Sequence, residues 1–178
     1  MNTNHARDLR KVLEENKFLT LPGVYDCLSA RIAEEAGFPA LFLSGGALAY
    51  SALGRPDLGF LGLAEIGNAI QHIVSSCRVP LLADADNGFG NAIQAANTGA
   101  MYEQLGAAGL QIDDKVLPSM HPAKNEIVGW EMVGPKIEAV RDNVSEDFVI
   151  VYRTCANLYG YGIDESIRRI NLAKERGA

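Results

Sequence analysis

Short apolar runs alternate with longer amphipathic stretches along most of this chain. The apolar runs predict five short strands, at residues 18–24, 40–43, 79–83, 109–112 and 148–152. The amphipathic stretches predict helices at residues 5–16, 26–36, 63–76, 91–105, 131–143 and 165–176. Asp26 and Asp164 stand where helix N-caps are wanted, and Gly37 stands where a helix would end. Alternating strands and helices favour a parallel sheet with right-handed crossovers.

Polar residues at the strand ends help to choose between an open doubly wound sheet and a closed (β/α)₈ barrel. Ser44, Asp84, Asp113 and Arg153 each lie at the carboxyl end of a different predicted strand. Barrel enzymes assemble their sites from several such ends, whereas an open sheet places its site at one switch point. No G-x-G-x-x-G follows the first strand, which disfavours a dinucleotide fold.

The fold class predicted is therefore α/β, an incomplete (β/α)₈ TIM barrel with about five of its eight units. It forms one partial catalytic domain over residues 1–178. Such barrels typically have about 250 residues, so we expect this sequence to be a piece of a longer protein or a truncated product.

The most informative stretch is the sequence LLADADNGFGN at residues 81–91. If strand geometry continues to its end, Asp84 and Asp86 point the same way, because side chains two apart share a face. A divalent cation would relieve the repulsion between them, and hard oxygen ligands suit Mg²⁺ or Mn²⁺. The alternative is that one aspartate only caps the following helix.

Composition excludes several classes of function. The formal net charge of −6 and the lack of a basic stripe disfavour nucleic-acid binding, and no apolar run approaches the ~20 residues of a membrane span. The three cysteines, Cys27, Cys77 and Cys155, have no metal-type spacing and fit reduced thiols. We therefore expect a cytoplasmic protein.

Several motifs in this order resemble the isocitrate lyase / phosphoenolpyruvate mutase superfamily. They are PGVYD at residues 22–26, LSGG at 43–46, LGRPD at 53–57, DADNGFG at 84–90, IDDK at 112–115, LP at 117–118 and YRT at 152–154. Each motif alone is weak, but the set in this order is specific. The resemblance implies a Mg²⁺-dependent barrel enzyme that makes or breaks C–C or P–C bonds beside an α-oxoacid, through an enolate.

The resemblance also implies roles for particular residues. Asp84 resembles the direct metal ligand, and Asp86, Asp113 and Asp57 resemble the carboxylates that hold the ion largely through water. Ser44, Gly45 and Gly46 resemble the segment that binds the substrate carboxylate, Arg153 resembles the guanidinium that grips the same end, and Tyr25 lines the pocket. Arg153, Asp57 and Lys115 are the catalytic candidates. Without the resemblance, Lys115 would be a solvated lysine, Asp57 a turn residue, Asp26 only a cap, and Arg153 an ion-pair partner of Asp84.

The chain also departs from the superfamily pattern. Relatives that cleave methylisocitrate carry a cysteine in the loop after the fourth strand, where this chain has SMHP at residues 119–122. His121 is a candidate substitute acid there. Asp113 stands where a glutamate is usual, and Cys155 follows Arg153 and Thr154 where an aspartate is usual.

These features leave three alternatives. The first is a lyase like oxaloacetate decarboxylase or methylisocitrate lyase, acting on a small carboxylic acid. The second is a phosphonomutase, and the third is a non-catalytic fragment that acts only in assembly. The resemblance further implies a homo-oligomer, since full-length relatives are typically tetramers.

Overall fold

The structure is a computed structural model that describes residues 5–117 and 126–178. Five strands form one parallel sheet in the order β1-β2-β3-β4-β5, so that each strand pairs with the next along the chain. A doubly wound sheet reverses its order at a switch point, whereas sequential order is that of a barrel. The predicted α/β class and partial-barrel arrangement are confirmed.

The elements follow the predicted alternation. The strands are β1 Gly23–Val24, β2 Leu41–Leu43, β3 Leu81–Asp84, β4 Gly109–Asp113 and β5 Val149–Arg153. The helices are α1 His5–Glu15, α2 Cys27–Glu35, α3 Gly45–Leu48, α4 Leu63–Ser76, α5 Ala92–Gln104, α6 Trp130–Arg141 and α7 Ile163–Glu175, and a π-helical turn at Ala49–Leu53 follows α3.

The sheet has two apolar faces because side chains alternate along each strand. Leu43, Ala83 and Ile112 belong to the outer face and pack into the main core with the helices. Leu82 and Val149 belong to the inner face, which forms a second core. Leu9 of α1, only 1% exposed, packs into this second core at the amino ends of the strands. The carboxyl ends are thereby left to carry polar side chains.

Two predictions about elements were wrong. The first strand is only two residues long, and Phe18 in the predicted range is 85% exposed. Strand β1 pairs only with the three-residue β2, which limits the length of its ladder. Asp164 does not cap α7. It lies in the first turn, and Gly162 is the N-cap with a φ of 90°, a conformation that favours glycine.

Asp26 does cap α2, as predicted. Its carboxylate accepts a hydrogen bond from Ser29 N at 2.7 Å, and Ser29 Oγ accepts one from Asp26 N at 3.2 Å. This reciprocal capping box satisfies two backbone donors at the start of the helix. Within the described ranges, no helix is long and apolar enough to cross a membrane.

Candidate active site

The four polar residues predicted at the strand ends share the inner face and one end of the sheet. Ser44 and Asp84 lie two residues beyond inner-face positions of β2 and β3, and Asp113 and Arg153 end β4 and β5. The register of the ladder places Asp113 directly beside Arg153. The sheet thus brings together side chains that are up to 109 positions apart in the sequence.

Asp84 is held in place through both its side chain and its backbone. Its Oδ2 accepts a hydrogen bond from Gly45 N at 3.2 Å, and its Oδ1 accepts one from Asp86 N at 3.0 Å. Its carbonyl oxygen accepts a hydrogen bond from the hydroxyl of the buried Tyr102 at 2.9 Å. Three parts of the chain therefore hold Asp84 in position, two through its carboxylate and one through its carbonyl.

Asp86 reaches the same site by a different backbone path from the one predicted. Strand β3 ends at Asp84, and Asp86 has a φ of 44°, so strand alternation does not set its direction. The residue is anchored because Asp113 N donates to its carbonyl oxygen at 2.7 Å. Neither aspartate caps α5. The N-cap is Asn91, whose side chain accepts hydrogen bonds from the backbone, so the alternative of a helix cap was wrong.

Lys115 is a buried partner of two of these carboxylates. Its Nζ lies 2.9 Å from Asp113 Oδ2 and 3.5 Å from Asp86 Oδ1, and the lysine is only 7% exposed. Its backbone N also donates to Asp113 Oδ1 at 3.0 Å. The alternative of a solvated lysine was wrong, because the turn after β4 folds the side chain back over the strand end.

The electrostatics of this cluster are dominated by burial of negative charge. Burial and the neighbouring Asp84 raise the pKa of Asp86 to about 7. Burial also raises the pKa values of Asp84 and Asp113. Burial alone would lower the pKa of Lys115, but Asp113 and Asp86 more than offset it and raise that pKa. One ammonium therefore faces several carboxylates, and further positive charge nearby would favour their ionised forms.

Asp57 comes from the loop after the π-helical turn and lies against Gly46. A Cβ atom at Gly46 would be 3.0 Å from Asp57 Oδ2, so glycine permits this close approach. Asp57 also interacts electrostatically with Asp86 and Lys115. Ser44 is the N-cap of α3, and its Oγ accepts a hydrogen bond from Ala47 N at 3.2 Å. The Ser44–Gly46 segment is thus packed against the carboxylate cluster.

Arg153 and Tyr25 lie at the margin of the cluster. Both side chains are exposed, and Arg153 favours the charged form of Asp113. Tyr25 follows Val24, whose carbonyl accepts a hydrogen bond from Ser44 N at 3.0 Å. In the described part of the chain no ion pair joins Arg153 to Asp84, so that alternative is not supported. The loop residues 119–122, including His121, lie outside the described residues.

Several residues that support the site were not predicted from the sequence. Tyr102 of α5 and Lys136 of α6 reach it from the helical layer, and Lys136 Nζ donates to Asn87 O at 2.8 Å. Asp114 is fully buried and lies between Asp113 and Lys115 in sequence. Strand alternation was the available signal for Asp114, since it places this side chain on the face opposite Asp113.

Asp84, Asp86 and Asp113 bring carboxylate oxygens together, and such oxygens are the donors that Mg²⁺ prefers. Among residues 5–117 and 126–178, no three His, Cys, Asp or Glu side chains form a ready-made ligand set. Mg²⁺ usually keeps several waters and binds through one or two carboxylates. Three carboxyl groups share one lysine here, so oxygen atoms remain that such an ion could bind.

The chain is similar to known proteins in both sequence and fold. The family model described as phosphoenolpyruvate phosphomutase matches residues 9–178. The chain is 39% identical over 178 residues to 2,3-dimethylmalate lyase of Eubacterium barkeri, covering 98% of this chain and 61% of the relative.

Two solved structures are similar in fold and sequence. Oxaloacetate acetylhydrolase with the inhibitor 3,3-difluorooxalacetate has a TM-score of 0.91 and 34% identity, over 99% of this chain and 62% of that chain. Phosphonopyruvate hydrolase with oxalate and Mg²⁺ has a TM-score of 0.91 and 32% identity, over 98% and 61%. The chain thus spans about three fifths of the length of these relatives. Since the family model covers nearly the whole chain and the solved relatives share its fold, the chain belongs to the phosphoenolpyruvate phosphomutase family, within the superfamily that includes isocitrate lyase.

Proposed function

We propose that this protein is a Mg²⁺-dependent lyase that cleaves a C–C bond beside the oxo or hydroxy carbon of a small carboxylic acid. The observation that carries the proposal is the convergence of Asp84, Asp86 and Asp113 around Lys115 at the carboxyl ends of the strands. Cleavage of such a bond leaves an electron pair that is delocalised as an enolate, and a site for this reaction must stabilise negative charge on oxygen.

Asp84 would hold the cation directly, and Asp86, Asp113 and Asp57 would hold its waters. Both Asp84 oxygens are already oriented by backbone donors, so little reorganisation is needed on binding. A bound Mg²⁺ ion supplies Lewis-acid polarisation of the substrate carbonyl and charge stabilisation of the enolate. Lys115 remains an ammonium because of its two carboxylate partners, so it contributes positive charge and does not act as a base.

The substrate carboxylate would lie between the Ser44–Gly46 segment and Arg153. A planar guanidinium matches the geometry of a carboxylate, and Arg153 is exposed at the end of β5 where a ligand can reach it. A phosphonomutase is the second candidate, supported by the family's own description and by the similarity to phosphonopyruvate hydrolase. Homo-oligomeric assembly and a cytoplasmic location stay predictions.

Thermal unfolding with Mg²⁺, with oxalate and with both tests the proposed site. Oxalate mimics the planar, negatively charged enolate. A ligand present at 100 times its Kd stabilises the folded state by about 2.7 kcal/mol. For a chain of this size this raises the Tm by about 5–10 °C. We expect the Tm to rise only when Mg²⁺ and oxalate are both present. The rise should be lost in Asp84→Ala. It should be retained in Asp164→Ala, which removes an exposed carboxylate on α7.

Product analysis then separates the two candidate reactions. Release of pyruvate from an oxoacid or hydroxyacid panel supports the lyase, and rearrangement or cleavage of a phosphonate supports the alternative. The proposed site would be overturned if Mg²⁺ and oxalate together leave the Tm unchanged, or if they raise it equally in Asp84→Ala.

A further inference from the structure

Asp114 receives hydrogen bonds from three residues around the end of β5. Its Oδ2 accepts from Tyr152 Oη at 2.7 Å and from Thr154 Oγ1 at 2.7 Å, and its Oδ1 accepts from Cys155 N at 2.8 Å. Tyr152 and Thr154 are the residues immediately before and after Arg153. A single buried carboxylate therefore holds both chain neighbours of the arginine.

Arg169 of α7 provides the positive charge that a buried carboxylate requires. Its Nη1 lies 3.1 Å from Asp114 Oδ2 and also donates to Val128 O at 2.8 Å. Its Nε donates to Glu165 Oε1 at 2.7 Å, and the arginine is only 5% exposed. The Asp114–Arg169 pair thus joins β4, β5, α7 and the segment that leads into α6.

The direction of these bonds determines where Arg153 points. Neighbouring side chains on a strand point to opposite faces. Because Tyr152 and Thr154 are both bound to Asp114 on the outer side, the side chain of Arg153 leaves the strand on the inner side. There the register places it beside Asp113 and the carboxylate cluster.

We propose that Asp114 is a positioning residue for Arg153: by binding Tyr152 and Thr154 it holds the guanidinium ready for the substrate carboxylate. This inference rests on the proposed function, in which Arg153 binds that carboxylate. A preorganised arginine loses less conformational freedom on binding than a mobile one, and ligand affinity rises accordingly.

A double-mutant cycle tests this role by calorimetric titration of oxalate into the chain at saturating Mg²⁺. We expect Arg153→Ala and Asp114→Asn each to weaken oxalate binding by about tenfold, in the range found for supporting residues of binding sites. We expect Asp114→Asn to have less than about a twofold further effect when Arg153 is already alanine, because the two changes act through one interaction. The affinity for Mn²⁺ alone, measured from its paramagnetic resonance signal, should stay within about twofold, since Asp114 faces away from the carboxylate cluster.

Milder variants test the same role in case Asp114→Asn does not fold. Tyr152→Phe and Thr154→Val each remove one hydroxyl while leaving the Asp114–Arg169 pair intact, and each should weaken oxalate binding by a smaller factor. Glu165→Gln is the matched control, because it removes the charge of a carboxylate that pairs with Arg169 but not with Asp114. It should leave oxalate affinity unchanged.

The outcomes separate this inference from the function on which it rests. If Arg153→Ala weakens oxalate binding but Asp114→Asn and Tyr152→Phe do not, the positioning role is wrong and the proposed function stands. An equal loss from Asp114→Asn in both backgrounds also overturns the role, since Asp114 would then act independently of Arg153. If the wild-type chain does not bind oxalate, or if Arg153→Ala leaves oxalate affinity unchanged, the carboxylate-binding part of the proposed function is itself refuted.

Discussion

The hydrogen bond from Tyr102 to the backbone of Asp84 allows a quantitative test of how α5 supports the site. Tyr102 is fully buried, and its hydroxyl donates to the carbonyl oxygen of Asp84 at 2.9 Å. Tyr102→Phe removes the donor and hardly changes the shape of the ring. A buried acceptor that loses its partner costs about 1–3 kcal/mol.

We therefore expect Tyr102→Phe to lower the free energy of unfolding by about 2 kcal/mol. For a chain of this length the Tm would fall by about 4–8 °C. Urea unfolding, followed by circular dichroism, gives the free energy directly, and an unchanged m-value would show that the unfolded state is the same. The carboxylate of Asp84 keeps its bonds to Gly45 N and Asp86 N in this variant, so oxalate affinity should change little.

Thr98→Val provides a matched control on the same helix. Thr98 is 1% exposed, and its hydroxyl donates to Gln94 O at 2.8 Å. That carbonyl also takes part in the helical i to i−4 ladder of α5, so losing the hydroxyl does not leave it without a partner. We expect a loss of less than about 1 kcal/mol. Equal losses in the two variants, or no loss in Tyr102→Phe, would refute the reasoning that the buried Asp84 carbonyl depends on Tyr102.

Two further predictions concern helix α2 and the acidic end of the pH range. Asp26→Ala should lower the free energy of unfolding by about 1 kcal/mol because it removes the cap on Ser29 N. Asp26→Ser should retain most of that stability in urea unfolding. Equal losses in both variants would contradict the capping role. Hydrogen bonds from Arg168 and Arg169 lower the pKa of Glu165 to about 2. The stabilisation from Glu165 should therefore be present above its ordinary pKa of 4.5 and disappear as the pH falls towards 2. The difference in stability between wild type and Glu165→Gln, measured by urea unfolding from pH 7 down to pH 3, should shrink with falling pH, and a constant difference would contradict it.

Local patterns in the sequence determined the order of elements and the position of the strand ends. The helix predicted at residues 63–76 has those bounds in the structure, because apolar residues at helical spacing and a polar opposite face are local properties. The carboxyl ends carrying Asp84, Asp113 and Arg153 were also predictable, since a parallel sheet aligns all its strand ends at one edge. The motifs around these residues indicated the family, which the comparisons confirmed.

The tertiary structure alone decided which groups meet and what charge they carry. Without the family resemblance Lys115 would be a solvated lysine in sequence, and only the fold buries it between Asp113 and Asp86. Asp114 belongs to the IDDK motif at residues 112–115, yet it binds Arg169, which is 55 residues later in the chain. These partners are distant in sequence, and their energies depend on burial and on distances of about 3 Å, neither of which residue spacing contains. Periodicity therefore predicts the elements and their polar ends, whereas the charge balance of the site depends on how those elements pack.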